Sequence, residues 1–432
     1  MRRPSLLVLG LGLLLPAAAA AQKPAAPSAE PPVLDCRVFG DAQQRATCGR
    51  ANERNRDALF AMGFAFSSGT GVARDYLEAA RLYRLASDLG HGTAANNLAV
   101  LYGSGFGVPR DDQQALRFYR LGAERGDPFA QTNLAAWYRD GRAVTRDDGE
   151  AVRLLRLAVA QNHPLAFEDL GYLIENGRGA PRNEGEARSL YARAAAAYRQ
   201  RADRGEALYR YNYGRLLELG RGVAQDYAAA AEYYRLALRQ GETRAARPLA
   251  YLHITGRGVA RDWDEALRLY RAEAERGDVP SMNSTAWYLA ILNRNLDEAQ
   301  TLVERALRAA PDNINYLDTR AFILLRRGDA AAALPIQLRV VASSEAGWMN
   351  YDILGDIYAA LGRTDEARTA WQRALDMSVN EPPHPYWDRQ AIITKLTGGA
   401  PPAPPAAQPS PPAPPPAAAA PGTKAPTPAP GK

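Results

Sequence analysis

Cysteine is almost missing from this chain of 432 residues, which has only Cys36 and Cys48. Histidine is scarce as well: His91, His163, His253 and His384 each stand without a second ligand or a nucleophile at a diagnostic spacing. The two thiols have no histidine near them in sequence, so they do not make a structural zinc site. Glycine-rich turns are present, but they lack both a preceding strand and the Lys-Ser/Thr pair that a phosphate loop needs. Beyond residue 15 no apolar run is a candidate for the roughly 20 residues of a membrane helix. A dominant charge is absent too. With 53 Lys and Arg against 47 Asp and Glu the formal charge is only +6, and the two signs alternate instead of gathering on the one face that displaces phosphate counterions. No metal, no cofactor and no nucleic acid partner is expected.

The N-terminus reads as an export signal: Arg2 and Arg3, an apolar run from Leu6 to Leu15, then Ala19-Ala20-Ala21 before Gln22. Cleavage after Ala21 would leave no stable membrane insertion and a periplasmic or secreted protein. A retained signal anchor is the competing reading, because the alanine tract extends the apolar helix. Pro4-Ser5 stand against the twin-arginine route, and Cys36 lies too far beyond the apolar run for lipid anchoring. In an oxidising compartment an isolated pair such as Cys36 and Cys48 is most simply a disulfide. Closing so short a loop contributes about 3 kcal/mol by the chain-entropy argument. A redox-active pair is the alternative, though the spacing is not CxxC.

What the chain has in quantity is repetition. Gly69, Gly105, Gly141, Gly177, Gly220 and Gly256 recur at a step of 36 residues, broken once by 43. In the second copy Ala94, Leu98 and Tyr102 share one helical face, and Gly103-Ser104-Gly105-Phe106-Gly107-Val108 ends that helix. Asp111 or Asp112 then caps a second helix through Ala115, Phe118, Tyr119 and Ala123. The skeleton returns as Gly69-Thr70-Gly71-Val72, Asp75, Ala79, Tyr83, and as Gly256-Arg257-Gly258-Val259, Asp262, Ala266, Tyr270. Units of this size bury their apolar faces only by stacking, so the period predicts an elongated solenoid whose working part is its surface.

This pattern resembles the Sel-one-like repeat, a relative of the tetratricopeptide repeat, over residues 58–277 in six copies. The resemblance implies an all-α solenoid of stacked helical hairpins in a right-handed superhelix. Two copies depart from it. The third has Ala143 where a glycine is expected, and the fourth has Gly177-Arg178-Gly179-Ala180 followed by a helix lengthened to Glu186–Arg204, which accounts for the seven extra residues as about two turns. After Gly277 the period is 34, set by Arg294, Gly328 and Gly362. Leu354-Gly355, Tyr358, Ala367 and Trp371 there resemble the tetratricopeptide repeat itself. The expected organisation is a signal over 1–21, a leader and Cys-containing cap over 22–57, and six Sel-one-like repeats over 58–277. About three tetratricopeptide-like repeats with a capping segment, Tyr386 to Leu396, follow over 278–396. Residues 397–432 are a disordered Pro/Ala-rich tail without the apolar side chains of a core.

Catalysis is not expected. Paired acids such as Asp111-Asp112 and Asp147-Asp148 fall at helix starts, where capping explains them. Some Sel-one-like proteins with cysteine pairs in every repeat are described as binding or hydrolysing penicillin, but no repeat here contains cysteine. Recognition is the better-supported class. First helices of such hairpins line the concave side, and the residues before their core Leu or Tyr are Asn97, Asn133, Asp169 and Asn212. A side-chain amide both donates and accepts, so such a row would hold an extended peptide backbone. The alternative is that these residues bond to the neighbouring hairpin. Arg139, Glu168, Tyr211 and Arg215 on the same helices would tune selectivity, or else are solvated surface. The 21 tyrosines are read as core. The expected function is an exported scaffold that binds a protein partner along a groove, in one version regulating an envelope signalling or assembly complex. The alternative is an envelope glycan binder, which predicts aromatic side chains exposed in the groove.

Overall fold

The computed structural model describes residues 34–379 and 388–398. The expected signal, the leader up to residue 33, Tyr386 and the Pro/Ala tail beyond 398 lie outside the described residues. Among the described residues the chain forms helices and turns without a strand. It divides into two compact units, residues up to 260 with 275–277, and 261–274 with those from 278 onward. The division falls inside the sixth glycine repeat.

In the first unit a short 3-10 turn (Cys36–Val38) and α1 (Ala42–Asn52) precede five hairpins. These are α2 (Arg56–Ser68) with α3 (Tyr76–Asp88), α4 (Gly92–Ser104) with α5 (Asp112–Glu124), α6 (Pro128–Asp140) with α7 (Asp148–Ala160), α8 (Pro164–Glu175) with α9 (Glu184–Asp203), and α10 (Ala207–Leu219) with α11 (Tyr227–Arg239). Helix α12 (Ala246–Thr255) follows. The second unit contains α13 (Trp263–Glu275) except its last residue, α14 (Val279–Ile291) with α15 (Leu296–Ala309), α16 (Ile314–Arg326) with α17 (Ala330–Val341), α18 (Trp348–Ala360) with α19 (Thr364–Met377), and α20 (Arg389–Leu396).

One device starts every second helix of those five hairpins. Asp75, Asp111, Asp147, Asn183 and Asp226 have φ of −143, −146, −145, −145 and −146°, and each side chain accepts a backbone N–H from the first turn beyond it. The N–H of each cap residue in turn donates to a carbonyl near the end of the first helix, as Asp111 does to Tyr102 at 3.0 Å. The hairpin is thereby closed at both sides of its turn. In the third copy Ala143 takes the left-handed conformation, φ 55°, that glycine takes in its neighbours.

Packing explains the recurrent small residue and aromatic. A β-carbon on Gly214 would stand 2.9 Å from the ring of Tyr234, and one on Gly355 would stand 2.3 Å from Trp371. The aromatic tip then finds an acid on the first helix, Tyr234 Oη to Glu218 at 2.5 Å and Trp371 Nε1 to Asp356 at 3.0 Å. Tyr83, Tyr119, Tyr198 and Tyr234 are fully buried, in keeping with their reading as core. Cys36 and Cys48 form a disulfide that ties the 3-10 turn to α1, and buried Phe39 meets Phe66 of α2 edge-on at 5.9 Å.

First helices of neighbouring hairpins touch one another, α4 with α6 in the first unit, and α14 with α16 and α16 with α18 in the second. Second helices of neighbouring hairpins have no comparable contact among the described residues. The first helices are therefore the inner row in the second unit and at α4 and α6 of the first, where the pairs Arg139–Asp169 and Arg215–Glu168 extend it over α8 and α10. Helix α9 is the exception in length, 20 residues against 13 for α3, α5, α7 and α11. It starts two residues earlier than the sequence suggests and carries the seven-residue insertion. No described helix is long and apolar enough to cross a membrane.

Candidate functional site

The inner row of the first unit is polar at its centre. Asn97, Asn133, Asp169 and Asn212 are only 5, 1, 8 and 1 % exposed. Asn133 Nδ2 donates to Asn96 Oδ1 at 2.8 Å, from α6 across to α4, and Asn96 Nδ2 donates to Asn97 Oδ1 at 3.2 Å. These amides bond hairpin to hairpin. Asn133 Oδ1 and both polar atoms of Asn212 are buried without a hydrogen-bond partner. Each such orphan costs about 1–3 kcal/mol relative to a satisfied group.

The charged residues of the row form a chain of ion pairs. Arg139 of α6 reaches Asp169 of α8 at 3.2 Å, and Arg215 of α10 reaches Glu168 of α8 at 3.1 Å. Arg139, Glu168 and Arg215 have side chains 12, 6 and 15 % exposed, so they are not solvated surface. Burial pushes the Asp169 carboxyl above its ordinary value even with Arg139 against it. Tyr198, from the inserted length of α9, donates to Glu168 at 3.3 Å. Pairs this dry add little net stability over apolar packing, but removing one partner is costly. Their effect is to fix α6, α8 and α10 in register.

Tyr211 of α10 is half-buried between two guanidinium groups, Arg215 at 5.8 Å and Arg244 at 5.1 Å from its ring centre. Arg244 is held by Glu242 at 2.6 Å. Burial raises the Glu218 carboxyl, which accepts from Tyr234. The geometry thus joins seven of the eight inner-row residues singled out by sequence to two neighbourhoods, Asn97 and Asn133 to an amide cluster on α4 and α6, and Arg139, Glu168, Asp169, Tyr211 and Arg215 to an ionic one from α6 to α10, while Asn212 is buried on α10 without a hydrogen-bond partner. Sequence reasoning missed Tyr198, Glu218 and Arg244. It also assigned Asp112 and Asp148 to capping, whereas Asp111 and Asp147 cap and Asp112 and Asp148 pair with Arg142 and Arg178 of the next turn at 2.7 and 2.8 Å. The repeated spacing of thirty residues from acid to arginine was the available signal.

Among the described residues no three His, Cys, Asp or Glu side chains are grouped as a metal site. Among the described residues the exposed large apolar side chains, such as Phe64, Leu157 and Tyr251, are scattered along the chain.

Residues 56–91, 92–127, 128–163, 168–198, 207–242 and 244–278 match the Sel1 repeat family. Among solved structures, c5321, a protective antigen of uropathogenic Escherichia coli strains displaying an SLR fold, is similar with 23% identity, a TM-score of 0.46, and coverage of 83% of this chain and 75% of that one. A Sel1 repeat protein from Oxalobacter formigenes shares 27% identity over 57% of this chain and 96% of its own, with a TM-score of 0.41. A tetratricopeptide repeat protein from Parabacteroides merdae shares 18% over 60% and 93%, with a TM-score of 0.38. No curated protein matches the chain.

Proposed function

The chain belongs to the Sel1 repeat family, six copies of which fill residues 56–278, and from that premise we propose that it is an exported, non-enzymatic scaffold capturing an extended segment of a protein partner along the inner row of its first unit. Asn97, Asn133, Asp169 and Asn212 form the polar floor of that row. Arg139, Glu168, Tyr211 and Arg215 frame it. The observation that supports the reading is the half-buried Tyr211, held between the Arg215 and Arg244 guanidinium groups at the rim of the row, while the amides of the floor are themselves buried. A tyrosine ring between guanidinium groups offers an apolar face and hydrogen-bond donors that an extended peptide segment can meet largely independently of its sequence. The Cys36–Cys48 disulfide supports an oxidising compartment, and the N-terminal signal supports export into it. Regulation of an envelope signalling or assembly complex is the version in which such a scaffold holds its partner reversibly.

The test places a photo-crosslinking side chain at Tyr211, and separately at Leu157 on the exposed face of α7, in the exported protein. Crosslinks to a partner from Tyr211 and none from Leu157 support the inner row. Equal capture from both positions overturns it. Tyr211→Ala, at the rim of the row, is expected to weaken capture about tenfold while barely moving the thermal midpoint. An exported chain that still begins at Met1 would refute cleavage after Ala21.

A further inference from the structure

Two contacts recur at interfaces of the first unit. At the second-to-third and third-to-fourth interfaces an arginine after the turn glycine pairs with the acid that opens the preceding second helix, Arg142 with Asp112 at the start of α5 and Arg178 with Asp148 at the start of α7, whereas elsewhere an aromatic stands in the acid's place, Tyr76 against Phe106 and Tyr227 against Arg257. The next glycine of the turn lies on the backbone of a helix start. A β-carbon on Gly179 would come within 2.0 Å of the Asp148 carbonyl oxygen, and one on Gly258 within 2.3 Å of the Tyr227 carbonyl carbon, Tyr227 being the first residue of α11.

The interface between the fourth and fifth hairpins departs from both contacts. The insertion shifts the turn along α9, so that Gly222 rests on Tyr191, where its β-carbon would meet the carbonyl oxygen at 2.2 Å, and not on Glu184 at the helix start. That displacement is seven residues, about two helical turns. The first two turns of α9 are left uncovered, and a cavity of about 240 Å³ opens beside Glu175, Arg182, Glu184, Arg188, Tyr191 and Arg221.

The arginine–acid pair is broken in the same place. Glu184, which stands where Asp112 and Asp148 stand, keeps the pair to the arginine two residues before it, Arg182 at 2.6 Å, as Asp112 keeps Arg110 and Asp148 keeps Arg146, but it has no ion pair to an arginine of the following turn among the described residues. Arg221, which stands where Arg142 and Arg178 stand, turns to Glu175 at 3.2 Å and lies 5.1 Å over the Tyr191 ring. Glu175 is already shared, since the same oxygen accepts from Tyr191 Oη at 2.8 Å. Nη1 of Arg221 is buried with no partner, and Arg188 has no ion pair among the described residues. Three guanidinium groups therefore line the cavity with two carboxylates, and Arg188, exposed and without an ion pair among the described residues, leaves its wall net positive.

We infer that this cavity is a binding site for a small oxyanion group, a phosphate or a carboxylate, which Arg221 and Arg188 hold in place of the carboxylate that Asp112 and Asp148 supply at their own interfaces. A guanidinium presents paired donors that match such an anion bidentately. The site lies on the α8–α11 turn side of the first unit and is independent of the inner-row reading.

The full mature chain is titrated with inorganic phosphate and, separately, with N-acetylglutamate at constant ionic strength, following heat and thermal midpoint. Saturable binding of either anion with a raised midpoint is expected, weakened about tenfold or more by Arg188→Gln and by Arg221→Gln, and unchanged by Arg153→Gln on α7. Arg188 is exposed and pairs with nothing, so its variant folds as the parent does. Phosphate alone would mark a phosphorylated group as the ligand, and N-acetylglutamate an acidic side chain. Absence of saturable binding by both probes, or equal binding by the parent and Arg188→Gln, overturns the site.

Discussion

Arg142 closes on both carboxylate oxygens of Asp112, at 3.0 and 2.7 Å, across thirty residues of chain. The same guanidinium donates to the Gly103 carbonyl at 2.8 Å and lies 4.2 Å over the Trp137 ring. One side chain thus binds the second hairpin to the third. Hydrogen bonds from Arg142, and then from Arg110, hold the Asp112 carboxyl far below its usual range. A depressed folded-state value means that stability is present above the unfolded value of about 3.9 and is lost as pH falls toward the folded one. Arg142→Gln is expected to cost about 1–2 kcal/mol at pH 7, the pair being partly exposed to solvent. That difference should shrink steadily below about pH 4, as measured by urea unfolding of both proteins across pH.

His163 stands at the N-cap position of α8 without a side-chain capping bond and is buried, with Nδ1 3.1 Å from Thr132 Oγ1 and its ring 4.5 Å from Phe129. Burial, and to a smaller degree the charge of Arg201, lowers its value to about 4. The unfolded chain therefore takes up a proton at about 6.5 that the folded chain accepts only near 4. Stability should be full above about pH 6.5 and fall by about 3 kcal/mol as the pH drops through that window. His163→Asn places a side chain able to cap the helix and removes the titration. Its unfolding free energy is expected to be flatter between pH 4 and 6.5 than the parent's; identical slopes would show that His163 is not the group responsible.

Asp318 shows the opposite sign. Its carboxylate on α16 is buried, accepts from Gln337 Nε2 at 2.8 Å, and is pushed up to about 6 by burial. A raised folded-state value gives stability that is complete below the unfolded value of about 3.9 and is lost as pH rises through about 6. Asp318→Asn retains the shape and removes the charge. It should gain about 2–3 kcal/mol at pH 8 and little at pH 4, a contrast that thermal melts at the two pH values would reveal.

The elements that were legible in the sequence are those whose cause is local. Asp75, Asp111 and Asp147 cap because a short acceptor before a helix satisfies free N–H groups whatever lies around it. Contacts between hairpins were harder. Glu168 and Arg215, 47 residues apart, are brought together only once the inserted length of α9 has set the position of α10. Whether an Arg on a first helix faces a neighbour or water depends on that stacking, which helical periodicity does not encode. The seven extra residues were visible as a break in spacing, but their consequence, a turn seated on Tyr191 and Arg221 left with an unpaired nitrogen, appears only when the hairpins are stacked.

Lys395 of the last helix is buried between two acids of α18, its Nζ 2.9 Å from both oxygens of Asp352 and 2.7 Å from Asp356. Beside it Ile392 packs on Trp348 and Ala374. Burial raises the Asp356 carboxyl, and Lys395, set against it, lowers it again only in part. Lys395→Ala would leave two carboxylates in a dry site without a cation, a loss of about 3–5 kcal/mol. Because α20 is eight residues long, too short to be helical by itself, that loss should release it from α18 and α19. Amide exchange at Ile392 and Leu396 is then expected to approach the unprotected rate while α14 and α16 keep their protection. Lys395→Ala with Asp356→Asn should recover part of it, since one of the stranded charges is gone. Unchanged protection at Ile392 in the single variant would mean that the apolar contacts hold α20 without the lysine.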